Sequence, residues 1–423
     1  ILVGLVGSEM CIRDRSGQAG GDARCVGGIA RRYQGPPPWF LRTTAFGLAR
    51  QNGNMANTNH SPLVPQPGIL EIAPYVPGSH SLEGHNRVRV LSANENPLGP
   101  GQAAKDAFVA TAAELERYPD GSVHRLRDAI AKAEGLEADQ IVCGAGSDEL
   151  LTLLGQAYAG VGDEVVYSAH GFTMYPIIAR SIGARPVAAP EADLTADVGA
   201  LLAAVTPRTK ILYLANPNNP TGTYLPMAKV RELRAGLPES VLLVLDAAYV
   251  EYVTADDFGD PADLVRETGN TVMCRTFSKI HGLASIRLGW CYAPPAVADV
   301  LNRIRGPFNV NVPAQAAGEA AIADQAHKAR SVAHNNEWLP WLSEKVRALG
   351  LHVPPSQGNF ILVQFPQAPG KDAASAITHL NSRGIIPRQM GGYGLPDCVR
   401  ITIGLEDDNQ AVVEALSEFM GKA

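Results

Sequence analysis

Short, uninterrupted apolar runs recur through the middle of this chain and constrain its fold more than any other feature. They fall at 141–143, 164–167, 185–188, 211–214, 241–245 and 271–276. A strand that alternates apolar and polar residues can leave one face in water, whereas a continuous apolar run needs cover on both faces. Segments of helical character lie between the runs, at 175–182 and 227–235. Strand and helix alternating in this way build a mostly parallel sheet clad by helices. Residues 121–305 are therefore expected to form a large α/β domain. The flanking stretches, 55–120 and 306–423, mix short strands (88–91, 360–364, 399–403) with helices. Their last helix carries Ala411, Val412, Ala415, Leu416 and Phe419 on one face. Together they are expected to make a smaller α+β domain. A total of 423 residues is long for a single core, which agrees with two domains. Ser122 is expected to cap a helix with Leu126, Ala129, Ile130 and Ala133 inward.

Residues 1–54 break the pattern, being rich in Arg, Gly, Pro and Gln without a sustained period. They are expected to be a disordered or artefactual extension, with Met55 a plausible start. The net charge of −6 leaves no basic footprint for nucleic acid. Six scattered cysteines without Cys-x-x-Cys spacing argue against a zinc site or disulfide framework and fit a cytoplasmic protein. The ten histidines show no ligand spacing, so no metal site is expected. No apolar stretch approaches the ~20 residues of a membrane span.

Chemistry concentrates at the ends of the apolar runs. Gly144-Ala145-Gly146-Ser147-Asp148-Glu149 follows a strand and opens a helix, where amides and the helix dipole favour a phosphate. A structural turn explains it equally well. Glu149 stands where a dinucleotide fingerprint has its third glycine, and no Gly-Lys-Ser/Thr follows. Asp246 ends a strand, the place where open α/β sheets bind ligands, and could pair with a pyridine nitrogen or cap a helix. Asn219 and Tyr249 are suited to hold a phenolic oxygen, although Asn219 also suits a turn. Lys279, in Thr276-Phe277-Ser278-Lys279, can form a Schiff base if its setting lowers its pKa. Arg287 could meet a phosphate bidentately beside the hydroxyls of Thr276 and Ser278. Arg400 interrupts an apolar strand and, if buried, should face an anion.

Taken together, these residues resemble the fold-type I pyridoxal-phosphate aminotransferases, and within them the histidinol-phosphate aminotransferase family. The resemblance runs from about Glu71 onward. It is carried by Ala93-Asn94-Glu95-Asn96-Pro97, Arg117-Tyr118-Pro119-Asp120-Gly121, the run from Asn216 to Gly222, Ser278-Lys279 with Arg287, and the run from Val399 to Gly404. It implies that Lys279 carries pyridoxal 5'-phosphate covalently and moves the substrate's proton. Asp246 would hold the ring nitrogen, Asn219 and Tyr249 the phenolic oxygen, and Phe172 the ring face. Gly146, Ser147, Asp148, Thr276, Ser278 and Arg287 would cup the phosphate. Tyr118 would reach that phosphate from the partner subunit of a homodimer. Asn96 would line the substrate entrance, Arg400 would clamp an α-carboxylate, and Arg388 would bind the phosphate of histidinol phosphate. His281 departs from a position often aromatic in the family. An aromatic or prephenate aminotransferase would keep every cofactor residue, and a decarboxylase of a phosphorylated amino acid would share the fold. A cofactor-sensing regulator would need a DNA-binding module, for which residues 1–87 offer no helix-turn-helix pattern.

Overall fold

Each apolar run becomes a strand. In chain order these are β1 (Ile141–Gly144), β2 (Glu164–Ser168), β3 (Arg185–Ala189), β4 (Thr209–Ala215), β5 (Leu242–Asp246) and β6 (Thr271–Thr276). A further strand, β7 (Gly289–Tyr292), completes a seven-stranded sheet in the order β1-β7-β6-β5-β4-β2-β3. Strand β7 runs antiparallel to both its neighbours, and the remaining pairings are parallel. Every residue of β1, β5, β6 and β7 is buried. The sequence pattern leaves β7 unassigned because only four residues separate Leu288 from the Ala-Pro-Pro that follows it.

The computed structural model describes residues 64–74, 81–85 and 87–422, which fall in one unit, Leu63–Ala423. The extension assigned to 1–54 lies outside the described residues. Seven helices position the site: α1 (His124–Glu134), α2 (Ser147–Tyr158), α3 (Met174–Ser181), α4 (Met227–Gly236), α5 (Val312–Ala323), α6 (Gln325–Ala348) and α7 (Glu406–Met420). The period-two geometry of a strand sends alternate residues of β4 to opposite faces. Ile211 and Tyr213 pack with Leu150, Leu154 and Ile178 of α2 and α3, while Leu212 and Leu214 pack with Val230 and Leu233 of α4. This is why the run had to be apolar throughout.

A second, three-stranded antiparallel sheet, β8 (Phe360–Gln364), β9 (Arg388–Gln389) and β10 (Cys398–Thr402), has the order β8-β10-β9. Leu342 and Val346 of α6 and Val412 and Leu416 of α7 cover one of its faces. Arg388 lies directly opposite Arg400 across β9 and β10, so both guanidinium groups start from the same face. The short strand Arg89–Val90 pairs in parallel with Ile385–Ile386, and the chain then runs on beside β10, where Thr402 N donates to the Leu91 carbonyl.

One local expectation is revised. Val123, not Ser122, occupies the cap position of α1, and the carboxylate of Asp120 accepts from the Ser122 and His124 amides instead. Helix α6 is 24 residues long, yet its first half is polar and buries His327, Ser331 and Asn335, which hides any apolar stripe.

Beneath β6 lies a buried ionic knot. Arg275 bridges Glu134 of α1 at 2.6 Å and Glu251 at 2.7 Å and lies 4.9 Å from the Trp290 ring centre. Arg275→Met should strand Glu251, leave Glu134 only Lys328 at 3.5 Å, and cost about 3–5 kcal/mol, the usual result of removing one partner of a buried pair. Denaturant unfolding would measure this, and a loss below 1 kcal/mol would contradict it.

Candidate active site

Strands β4, β5 and β6 end side by side, and the residues immediately after them turn into one cavity of about 160 Å³. Its lining includes Ser147, Asp148, Phe172, Asn219, Asp246, Tyr249, Thr276, Ser278, Lys279 and Arg287. Ten residues singled out from the sequence thus share one space. Gly146 stands at the cap of α2 with φ +85, and a Cβ there would come within 2.6 Å of Arg287 Nη2. A side chain there would be strained at that φ and would push the guanidinium aside.

Asp246, the last residue of β5, is 6% exposed. Tyr175 Oη donates to its Oδ2 at 2.9 Å, whereas Oδ1 is buried without a hydrogen-bond partner. Burial pushes the carboxyl up to about 6, against the Tyr175 hydrogen bond, which lowers it. Lys279 opens part of its surface to the cavity, and Nζ donates to the Ala93 carbonyl at 3.0 Å. Enclosure by the protein, followed by the nearby Arg400 charge, brings its pKa down from 10.5 to about 8. Arg400 is 6% exposed; it donates to Asn219 Oδ1 and, at 2.6 Å, to the Ser92 carbonyl, while Nε stays unpartnered. Burial lowers its pKa as well. The expectation for this residue was that a buried guanidinium should face an anion; here neutral oxygens hold it.

The opposite end of the cavity is built for an anion. Ser147 and Asp148 form the first turn of α2, and Arg287 pairs with Asp148 at 3.2 Å, with both side chains nearly half exposed. Such an open pair is worth little and yields readily to a stronger anion. Glu149 accepts from Ala145 N at 2.5 Å and from Asn309 at 2.8 Å, so it pins the glycine loop. Ser278 N donates to Thr276 Oγ1 at 3.1 Å. Phe172 stands edge-on to Tyr175, with ring centres 5.9 Å apart.

Three expected residues lie apart from this cavity. Tyr118 is 82% exposed and stacks on Phe308, lining a separate surface depression. Arg388 is not among the lining residues and stands directly across from Arg400 on the neighbouring strand. Asn96, expected at the substrate entrance, is not among the lining residues: its amide donates to Ile280 O and Ser331 Oγ and its Oδ1 accepts from Leu98 N, so the side chain ties its loop to the protein. His281 is a buried neighbour of Phe277, and burial drives its pKa down to about 3, so it stays neutral. Two residues were missed. Tyr175 could have been suspected from its place one helical turn after Phe172; its bond to Asp246 had no sequence signal. Asn94, in the quoted Ala93–Pro97 motif, donates to Tyr249 Oη at 2.8 Å.

The sequence profile of the family "Aminotransferase class I and II" matches residues 87–416. The chain belongs to this aminotransferase family. It is therefore a transferase of amino groups. A histidinol-phosphate aminotransferase from Paramagnetospirillum magneticum is 59% identical over 357 residues, covering 84% of this chain and 98% of that protein. One from Rhodospirillum centenum is 56% identical over the same shares. Among solved structures, histidinol-phosphate aminotransferase from Sinorhizobium meliloti in complex with pyridoxal-5'-phosphate superposes with a TM-score of 0.77 at 30% identity, covering 87% of this chain and 99% of that one. The α/β, fold-type I expectation holds.

Asp246 generates a pH prediction for the cofactor-free protein. Its folded pKa, about 6, lies above the ordinary 3.8, so the stability this contributes is full below pH 3.8 and is lost as pH rises through 6. Above that, an ionised carboxylate sits buried at a cost of roughly 3 kcal/mol. Asp246→Asn should thus gain stability relative to the parent between pH 4 and 8. Unfolding curves at both ends test this; a pH-independent difference would refute the assignment of the buried charge.

Proposed function

We propose that this aminotransferase uses pyridoxal 5'-phosphate to pass the amino group of histidinol phosphate to 2-oxoglutarate, yielding imidazole-acetol phosphate and glutamate. It acts as a homodimer in the cytoplasm, in histidine biosynthesis, with residues 121–305 as the cofactor-holding part. The observation that carries the reading is Oδ1 of Asp246, a buried acceptor without a hydrogen-bond partner. A protonated ring nitrogen satisfies it.

The remaining donors fit the same group. Phe172 offers a ring face, Tyr249 and Asn219 offer polar contacts for a phenolic oxygen, and the α2 N-terminus with Thr276, Ser278 and Arg287 suits a phosphate. When bound, pyridoxal phosphate supplies an aldehyde that condenses with amines and a ring that accepts the electron pair left at the substrate's α-carbon. Asp246, as a carboxylate, keeps that ring protonated. Lys279, with a pKa near 8, is neutral in a useful fraction at physiological pH and takes and returns the proton at the α-carbon. The pairing of Arg388 with Arg400 across the small sheet supports a substrate pair with two anionic groups, a phosphate and an α-carboxylate. Leu115 and Tyr118, 72% and 82% exposed, support a second subunit over that face.

Lys279→Ala should lower transamination by at least ~10²–10⁴-fold, the usual share of acid–base catalysis, while the protein still folds and holds cofactor noncovalently. Near-normal turnover would overturn the role. Arg388→Ala should weaken use of histidinol phosphate by roughly 10–100-fold, from the loss of charge-assisted hydrogen bonds. Glutamate, assigned to Arg400, should suffer less. The readout is the ratio of kcat/KM for the two substrates. An unchanged ratio, with phenylalanine or prephenate preferred by the parent enzyme, would favour the aromatic aminotransferase.

A further inference from the structure

Asn94 is 1% exposed and adopts φ 54°, a left-handed conformation that asparagine tolerates better than most residues. Its backbone N–H donates to Thr402 Oγ1 at 3.0 Å, and its carbonyl accepts from Asn359 Nδ2 at 3.0 Å. Thr402 Oγ1 already accepts one bond and has a single proton to give. Asn94 Oδ1 stands 3.3 Å away to take it. The amide is placed with its oxygen toward Thr402, where it accepts the hydroxyl proton. The NH₂ end is thereby turned toward Tyr249, 2.8 Å from the phenolic oxygen. An amide N–H can only donate, so the Tyr249 oxygen accepts on that side. Its own proton is left for the cavity that Tyr249 lines.

We propose that Asn94 is a positioning residue: it holds the Tyr249 hydroxyl as a hydrogen-bond donor into the cavity, toward the phenolic oxygen of the cofactor. The inference rests on the pyridoxal phosphate reading above and adds a residue that acts only through Tyr249. Accepting from Asn94 also makes the phenol a better donor, because hydrogen bonds in a chain polarise one another. A donor at the cofactor oxygen draws negative charge from it. The neighbouring nitrogen, linked to Lys279, then binds its proton less tightly. Without Asn94 the hydroxyl can turn away, the oxygen keeps its charge, and that nitrogen holds its proton to higher pH.

The test is a pH titration of the visible absorption band of the lysine-linked cofactor in the holoenzyme, compared among the parent, Asn94→Gly, Tyr249→Phe and the double variant. Glycine keeps the left-handed backbone and adds no charge. The midpoint should rise by roughly half to one pH unit in Asn94→Gly, the scale of one hydrogen bond. Tyr249→Phe should move it in the same direction, and adding Asn94→Gly to Tyr249→Phe should move it no further. Should Asn94→Gly not fold, Thr402→Val carries the test. It removes the hydroxyl that orients the amide and should shift the midpoint the same way by a smaller amount. A midpoint unmoved by the single variant that folds overturns the proposal. So does an equal shift in the Tyr249→Phe background, which would mean a general structural effect. If the parent protein forms no pH-dependent band with pyridoxal phosphate, the cofactor reading itself falls, and the role of Asn94 falls with it.

Discussion

Charge enclosed without counter-charge is the constraint on which the rest of the site depends. Asp246 and Lys279 line one cavity, Arg400 stands beside it against the cavity residue Asn219, and none of the three forms an ion pair with another described residue. Each instead rests on neutral groups: a phenol for Asp246, backbone carbonyls for Lys279 and Arg400, and an amide oxygen for Arg400. Neutral partners hold a charge in place without cancelling it. The field in the cavity therefore stays available to a ligand that brings complementary charges, and the protein is electrostatically unfinished by itself. The pKa shifts of Asp246 and Lys279, upward and downward, are two expressions of this arrangement.

The fold makes such an arrangement tolerable by keeping the charges at strand ends. Strand β5 is apolar until its last residue, Asp246, and in β6 the chemistry of the site begins only at Thr276, where the strand ends. The ionic knot of Arg275 with Glu134 and Glu251 is the opposite solution. There the partners are direct and short, and the group serves to fasten β6 to α1 and to the turn that follows Tyr249. One charge cluster is closed and holds the frame; the other is open and is the site.

Much of this was legible in the sequence, for identifiable reasons. Parallel strands buried on both faces need unbroken apolar runs, so the six parallel strands announced themselves. Asp246, Thr276 and Lys279 could be read because strand ends are short range in sequence and carry residues that buried strands exclude. What stayed hidden depends on distant pairing. Tyr175 bonds a carboxylate 71 residues away, and Asn94 a phenol 155 residues away, with no local pattern to mark either. Strand β7 is too short to show a period, and α6 buries polar residues where an apolar stripe is sought. Asn94 and Asn96 stand two residues apart, and the left-handed turn at Asn94 breaks the extended path between them, so sequence alone does not say which of the two faces Tyr249.

The path of residues 92–94 has a further meaning for how the molecule comes into being. Ser92, Ala93 and Asn94 bind partners 308, 186 and 155 positions later in the chain. During vectorial synthesis the seven-stranded sheet, complete at Tyr292, can form while the small sheet is still unmade. Until Arg400 and Thr402 emerge, the early segment lacks two of its partners, and the Lys279 amine lacks its cationic neighbour. The setting that lowers the Lys279 pKa is therefore complete only once the small sheet has closed on residues 92–94, more than a hundred residues after the lysine itself.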